Sequence, residues 1–323
     1  MLKKIFITGS AGYLGSRIAK ALMQTSQYRL VLCARSQPNC QDSNTYYVNA
    51  DFSCDGTSVS ELSKMLLGVD CVIHLASMGD KACLQGPIQA NDVNVGGVIK
   101  LLEAAKIAGV KRVIYFSTAH VYGNALNGEV CELTLPRPKN VYAITHRAAE
   151  DYIYMEDATG NIDSVILRLS NGIGAPTHVS IACWHLLIND VCRQIASCNK
   201  VILHSSGMQY RDFITVADII DAIKHFIEIS NAKTQSLIFN LGSGLSMRVL
   251  EMVELISERA KVVLGKKIVV KRQETDAIFV NQPWHYCIDR LRRSGFVPKN
   301  DFIQEIDKLL IFCQKYFSGK GDE

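Results

Sequence analysis

Tyr142 and His146 stand four residues apart in "NVYAITHRAAED", a stretch that reads as the start of a helix. On a helix that spacing puts both side chains on one face, one turn apart. A phenol and an imidazole so placed form a candidate acid/base pair. The competing reading is a packed tyrosine followed by a solvated surface histidine. A second chemical feature is the triplet Gly9, Gly12 and Gly15 in "ITGSAGYLGS". Glycine lets the backbone turn sharply and approach a pyrophosphate, and a helix opening there adds free N–H groups and its positive dipole end. The spacing is Gly-x-x-Gly-x-x-Gly, not the Gly-x-Gly-x-x-Gly of the general dinucleotide fingerprint, but a strand precedes it and a helix follows. About 20 residues further on, an acid would bind the ribose 2′-OH of NAD, whereas an arginine would meet the 2′-phosphate of NADP. Here "LVLCARSQ" offers Arg35 and Ser36 and no acid. NADP is favoured and NAD is the alternative; Arg35 as a plain surface residue stacking on adenine is the bland reading.

These residues need a scaffold, and the first half of the chain supplies an alternating one. "KKIFITG", "YRLVLCAR", "VDCVIHLAS", "VKRVIYFST" and "IDSVILRLS" are short apolar runs, separated by helix-like stretches such as Tyr13 to Ser26 and "NVGGVIKLLEAAKIAG". Continuous apolar strands alternating with helices predict a parallel sheet covered on both faces. The fold class expected is therefore α/β, a Rossmann-type doubly wound sheet over 1–170, with a smaller mixed α/β substrate lobe over 171–323. Segments near 212–242 are candidates to return to the first unit. Strand-like "KVILHSS", "DFITV", "SLIFNLGSG" and "KKIVVKR", and helical 216–229, 247–264 and 301–317, make up the second half.

Bulk composition narrows the function classes. With 323 residues, 48 % hydrophobic and 20 % charged, the chain is an ordinary globular mix. A net charge of +4 without a clustered basic face gives no case for nucleic acid. The basic stretches at 259–272 and "RLRR" at 290–293 read as solvated faces. The eleven cysteines form no Cys-x-x-Cys and no zinc spacing with histidine, so reduced thiols and no metal are expected. No apolar run reaches the roughly 20 residues of a membrane span. Glycines interrupt the apolar start, which argues against a signal peptide. A cytoplasmic protein is expected.

The ordered motifs resemble the extended branch of the short-chain dehydrogenase/reductase superfamily, which includes nucleotide-sugar epimerases, dehydratases and reductases. The glycine loop, with Tyr13 and Leu14, comes first. Asp51-Phe52 resembles the acid that holds the adenine, "HLAS" with Leu75, Ala76 and Ser77 the cofactor-lining turn, and Asn94 in "NDVNVGG" the family's central asparagine. "YFSTAHVYG" is similar to the serine/threonine motif, with Ser117 at the cofactor and Thr118 at the catalytic hydroxyl position. "LRLSNGIG" carries Arg168 and Asn171, and "GMQYRDFITVADIIDAI" carries Arg211 at a position that commonly contacts the nucleotide diphosphate. The resemblance implies Tyr142 as general acid/base, Thr118 as anchor of the substrate oxygen, and a homodimer built on the helices near 94–108 and 142–158. Arg272 is a candidate second diphosphate contact, and His120 is either a substrate contact or a loop support. Trp184 reads as an apolar anchor of the second lobe in preference to a pocket wall.

One departure stands out. The family places a lysine four residues after the tyrosine, where it holds the nicotinamide ribose and lowers the tyrosine pKa. This chain has His146. An imidazole in the lysine's role, a specialised enzyme with another cation tuning Tyr142, and a nucleotide-binding chain without turnover are the three readings. Arg147 points about 100° away round the helix, and Lys139 precedes it. The family's 4,6-dehydratases carry Asp-Glu after the threonine, whereas this chain has Ala119 and His120, which counts against dehydration. The expected function is an NADPH-dependent nucleotide-sugar 4-keto reductase. The alternatives are a nucleotide-sugar 4-epimerase with tightly held NAD, and a non-catalytic cofactor sensor or scaffold.

Overall fold

Parallel hydrogen bonding gathers the apolar runs of the first half into one seven-stranded sheet. The structure, a computed structural model, describes residues 2–35, 44–123, 127–229, 236–273 and 283–319. The sheet begins with β1 (Lys3–Thr8), followed by α1 (Tyr13–Met23), β2 (Tyr28–Ala34) and β3 (Thr45–Asn49). Next come α2 (Val59–Met65), β4 (Cys71–His74), α3 (Asp80–Gln85), α4 (Pro87–Asn91) and α5 (Gly97–Ala108). Then β5 (Arg112–Thr118), β6 (Gly128–Val130), α6 (Val141–Asp157), β7 (Asp163–Leu169) and β8 (Asn171–Ile173) follow.

The chain continues through α7 (Leu187–Cys198), β9 (Lys200–Leu203), β10 (Tyr210–Thr215), α8 (Val216–Glu228) and β11 (Ile238–Leu241). It closes with β12 (Ser246–Arg248), α9 (Val249–Leu264), β13 (Val269–Arg272), β14 (Trp284–Tyr286), α10 (Asp289–Arg293) and α11 (Phe302–Phe317). The order across the large sheet is β11-β7-β5-β4-β1-β2-β3, with every neighbouring pair parallel.

β5 is buried at all of its positions, as a strand covered on both faces must be. One covering layer carries Ile18 and Leu22 of α1 with Ile219, Ile223 and Phe226 of α8. The other carries Leu62, Leu101, Ala105, Ala149 and Ile153. This is the Rossmann-type α/β fold. Strand order reverses between β1 and β4, and ligands of such sheets bind in the crevice outside the strand ends there. Thr8 and His74, paired across those two strands, sit at its floor.

The second lobe has its own core. β12, β10 and β8 form a small sheet, and β13 pairs with β9. Helices α7, α9 and α11 pack round them through Val191, Ile195, Met252, Ile256, Ile306 and Leu310. Trp184 stacks on Phe312 and meets Phe317 edge-on, with its indole N–H on the Val179 carbonyl at 2.8 Å. It is an apolar anchor. The chain also crosses back: α8 lies against α1, and β11 pairs with β7. β3 was not anticipated from sequence. It is an edge strand whose residues are only half-buried or exposed, so it lacks an apolar run.

The described cysteines are all free thiols, with Cys54 and Cys198 exposed. No helix among the described residues is long and apolar enough to cross a membrane.

Candidate active site

The glycine loop is held open by its backbone. Gly9 has φ +64°, a left-handed conformation that favours glycine, and a Cβ there would strike the backbone of Leu75 and Ala76 at 2.9 Å. At Gly15 a Cβ would lie 2.2 Å from the Gly9 carbonyl oxygen. Only glycines let the loop and the "HLAS" turn come this close. The turn is lashed to β1, because the N–H groups of Leu75 and Ala76 both donate to Thr8 Oγ1 at 3.0 Å. Gly12 caps α1, Leu14 packs against the core, and the Tyr13 phenol donates to the Gly174 carbonyl at 2.6 Å.

Arg35 is exposed at the end of β2, and Ser36 lies outside the described residues. Asp51 is exposed, with its carboxylate accepting the Ser53 N–H at 3.0 Å. Phe52 turns inward, edge-on to His74 and tight against Gly97, so its ring belongs to the core. Ser77 is exposed beside the turn. Asn94 sits in a π-helical turn, Asp92–Gly96, a kind of bulge found often at functional sites. Its amide accepts the Met78 N–H at 2.7 Å and donates to Thr145 Oγ1 at 3.0 Å, tying that turn to α6. A glycine cradle at the switch point of the sheet fits a dinucleotide.

Helix α6 brings Tyr142, His146 and Glu150 onto one stripe facing β5. Asn140 caps the helix, accepting the Ala143 N–H at 2.8 Å. Each residue of the stripe then meets a different residue of the strand. Tyr142 lies beside Thr118, whose hydroxyl acts on its phenol. His146 Nδ1 lies 2.7 Å from the Tyr115 phenol oxygen. Glu150 accepts the Ser117 hydroxyl at 2.5 Å, so Ser117 serves the junction of β5 and α6. Glu150 also takes a two-point contact from Arg168 on β7, 2.9 Å from Nε and 2.7 Å from Nη2, with both side chains 1 % exposed. Arg168 Nη1 in turn reaches the Tyr122 hydroxyl at 2.9 Å. The sequence reading gave no part to Tyr115 or Glu150.

The electrostatics differ from those of a lysine-bearing site. Burial pushes the Tyr142 phenol up to about 12; nearby Cys83 and Asp80 add to this, and the Thr118 hydroxyl opposes it. His146 is buried, and that burial, with a smaller contribution from His120, lowers its imidazole to about 4. It is therefore neutral near pH 7 and brings no charge to stabilise tyrosinate. It is also not the solvated surface residue of the bland reading. Its Nε2 is buried with no hydrogen-bond partner. Arg147 is engaged by Glu150 at 3.1 Å and by Asp151, and Lys139 is exposed. Neither supplies the missing cation.

Thr118 also accepts the His120 N–H at 3.2 Å, which starts the short turn Ala119–Tyr122. His120 stays open to solvent, edge-on to the Tyr142 ring at 6.4 Å. Burial of its inner edge and the charge of Arg211 hold its imidazole below the ordinary range. Arg211 Nη1 donates to Asn171 Oδ1 at 3.2 Å. His120 thus links Tyr142 to the Arg211–Asn171 pair. Arg272 is exposed on β13, its guanidinium 3.4 Å from the Ser206 carbonyl oxygen.

Comparisons with known proteins agree with this fold. The model of the NAD dependent epimerase/dehydratase family matches residues 5–242. The dTDP-D-glucose 4,6-dehydratase of Mus musculus is 28 % identical, over 98 % of this chain and 90 % of its own. The UDP-glucose 4-epimerase of Streptomyces lividans is 29 % identical, over 87 % of this chain and 88 % of its own. Among solved structures, UDP-N-acetylglucosamine 4-epimerase from Methanobrevibacter ruminantium, in complex with UDP-N-acetylmuramic acid, superposes with a TM-score of 0.82 at 24 % identity. It covers 96 % of this chain and 98 % of that one. At that identity the likeness is one of fold.

Proposed function

The chain is an enzyme of the NAD dependent epimerase/dehydratase family, within the extended short-chain dehydrogenases/reductases, and we propose that it inverts C4 of a nucleotide-linked sugar. The observation that carries this reading is Tyr142 beside the Thr118 hydroxyl, with His120 edge-on to the Tyr142 ring and within reach of the charge of Arg211, which holds Asn171. Tyr142 moves the proton of the sugar 4-hydroxyl, Thr118 holds that oxygen, and Arg211 with Asn171 binds the diphosphate. The Gly9–Gly15 loop would hold a nicotinamide dinucleotide, which when bound would supply hydride acceptance and return at C4. Epimerisation starts with Tyr142 taking the 4-hydroxyl proton and ends with its return to the ketone, so a phenol raised to about 12 slows the first step and favours the second.

Ala119 and His120 leave no Asp-Glu pair behind Thr118, which disfavours the dehydratase reading despite the likeness to such enzymes. A second reading, an NADPH-dependent 4-keto reductase, has its own support. Tyr142 is strongly protonated, as a proton donor to a ketone must be, and Arg35 suits a 2′-phosphate. Exposed apolar residues on α5 and α6, among them Ile107, Ile144 and Met155, favour a homodimer through those helices.

The test uses purified protein with UDP- and dTDP-linked hexoses. C4-inverted product without added cofactor, with NAD retained on the protein, supports the epimerase. NADPH consumption with a 4-keto sugar and no inversion transfers the assignment to the reductase. Neither activity on any of these sugars defeats both.

A further inference from the structure

Tyr115 on β5 touches His146, and the hydrogen-bond count there is decisive. The phenol is buried, and that burial holds it well above its ordinary range, so it keeps its proton. Its hydrogen-bond neighbour is His146 Nδ1, at 2.7 Å. If Nδ1 carried the imidazole proton, the phenol hydrogen and the Nε2 lone pair would both be buried without partners. If the phenol donates to Nδ1, the imidazole proton sits on Nε2, and only that N–H is left unpaired. One orphan is preferred to two.

We propose that Tyr115 is a positioning residue: its phenol fixes His146 as the neutral Nε2–H tautomer, which presents one uncharged N–H donor to a hydroxyl of the cofactor's nicotinamide ribose. The proposal rests on the cofactor placement given above. It accounts for three observations together: the buried, unpartnered Nε2, the absence of a cation beside Tyr142 among the described residues, and a phenol in the buried middle of β5 that meets His146 Nδ1. His74 offers an internal control. Its Nδ1 lies 2.8 Å from Thr8 Oγ1, which already accepts two backbone N–H groups and so has its own hydrogen to donate. His74 is therefore the same tautomer, but held by a different residue.

The test is nitrogen-15 NMR of histidine-labelled protein with no sugar present, combined with cofactor titration. Wild type should show His146 with Nδ1 unprotonated and Nε2 protonated. Tyr115→Phe should change the His146 signals, leave His74 as it was, and weaken cofactor binding about fivefold, the worth of one net hydrogen bond. A cofactor analogue lacking the nicotinamide-ribose hydroxyls should bind wild type and Tyr115→Phe alike. An Nδ1–H tautomer in wild type overturns the proposal; this reading, and the analogue titration on wild type, need no variant to fold. Unchanged tautomer and affinity in Tyr115→Phe overturn it too, as does equal weakening with the analogue. These readouts use no sugar, so failure of the epimerase assay alone strikes the proposed reaction and leaves Tyr115's role standing.

Discussion

The rings of Tyr142 and His146 meet edge to face, with centroids 4.4 Å apart and planes at 65°. The residue one turn past the tyrosine thus touches it as a neutral aromatic neighbour. A cation in its place would favour the phenolate and lower the Tyr142 pKa from about 12. His146→Lys should move the pH midpoint of sugar oxidation down by about one unit or more, roughly a tenfold gain at neutral pH. pH–rate profiles of the oxidation half-reaction decide this, and an unmoved midpoint would show that another group sets the phenol.

Two buried imidazoles couple stability to acidity. His74 is lowered to about 3 and His146 to about 4, both mainly by burial. The unfolded chain takes up protons on these groups near pH 6.5 while the folded chain does not. Their contribution is complete above that pH, shrinks as pH falls, and stops shrinking only below the folded values. By pH 5 each should have cost about 2 kcal/mol of stability. Urea unfolding at pH 7.5 and 5 should show a smaller acid loss in His146→Gln than in wild type; equal losses would mean that His146 is not neutral in the folded state.

Breaking the pair that holds α6 to β7 should be costly. Glu150→Gln leaves the Arg168 guanidinium buried without its countercharge, so a loss of about 3 kcal/mol is expected. Chemical denaturation measures it. A loss under about 1 kcal/mol would mean that water or another acceptor reaches Arg168.

Binding and chemistry should separate by residue. Arg211→Ala removes a charge-assisted contact to the diphosphate and should raise KM about tenfold or more with little change in kcat. Tyr142→Phe should lower kcat by roughly 10²-fold or more and leave cofactor affinity nearly untouched. Steady-state kinetics on the true substrate would expose the opposite pattern, which would reverse the two assignments.

Cofactor choice tests the end of β2. Arg35→Asp should weaken NADP binding at least tenfold, about 1.4 kcal/mol, and spare NAD. Parallel titrations of both cofactors measure it. An unchanged NADP constant would remove Arg35 from the site and with it the main support for NADPH.

Much of this was legible because it is local. The strand-loop-helix round Gly9, the i,i+4 stripe begun by Tyr142 and His146, and the apolar runs of β1, β4, β5 and β7 all announce themselves in short windows. What stayed hidden is non-local or unmarked. Tyr115 reads as strand core, and only folding brings it to His146, thirty-one residues on. Glu150 looks like a solvated helix residue until Arg168 and Ser117 close on it. The residue type of His146 already points to a largely neutral imidazole; its burial, which lowers it to about 4, does not show in the sequence. β3 lies at a sheet edge, half open to solvent, and needs no apolar signature.

The return of β11 to the large sheet bears on how the chain is made. As the protein leaves the ribosome, β7 emerges with one side unpaired, and it stays so until residues 238–241 follow. Over the same interval Ile18 and Leu22 of α1 wait for their cover from α8. An open strand edge and a bare apolar face invite pairing between nascent chains. Cutting at residue 170 would therefore not release a free-standing nucleotide-binding module. It would freeze the protein at its most adhesive moment in synthesis, and such a fragment should collect in the pellet while the full chain does not.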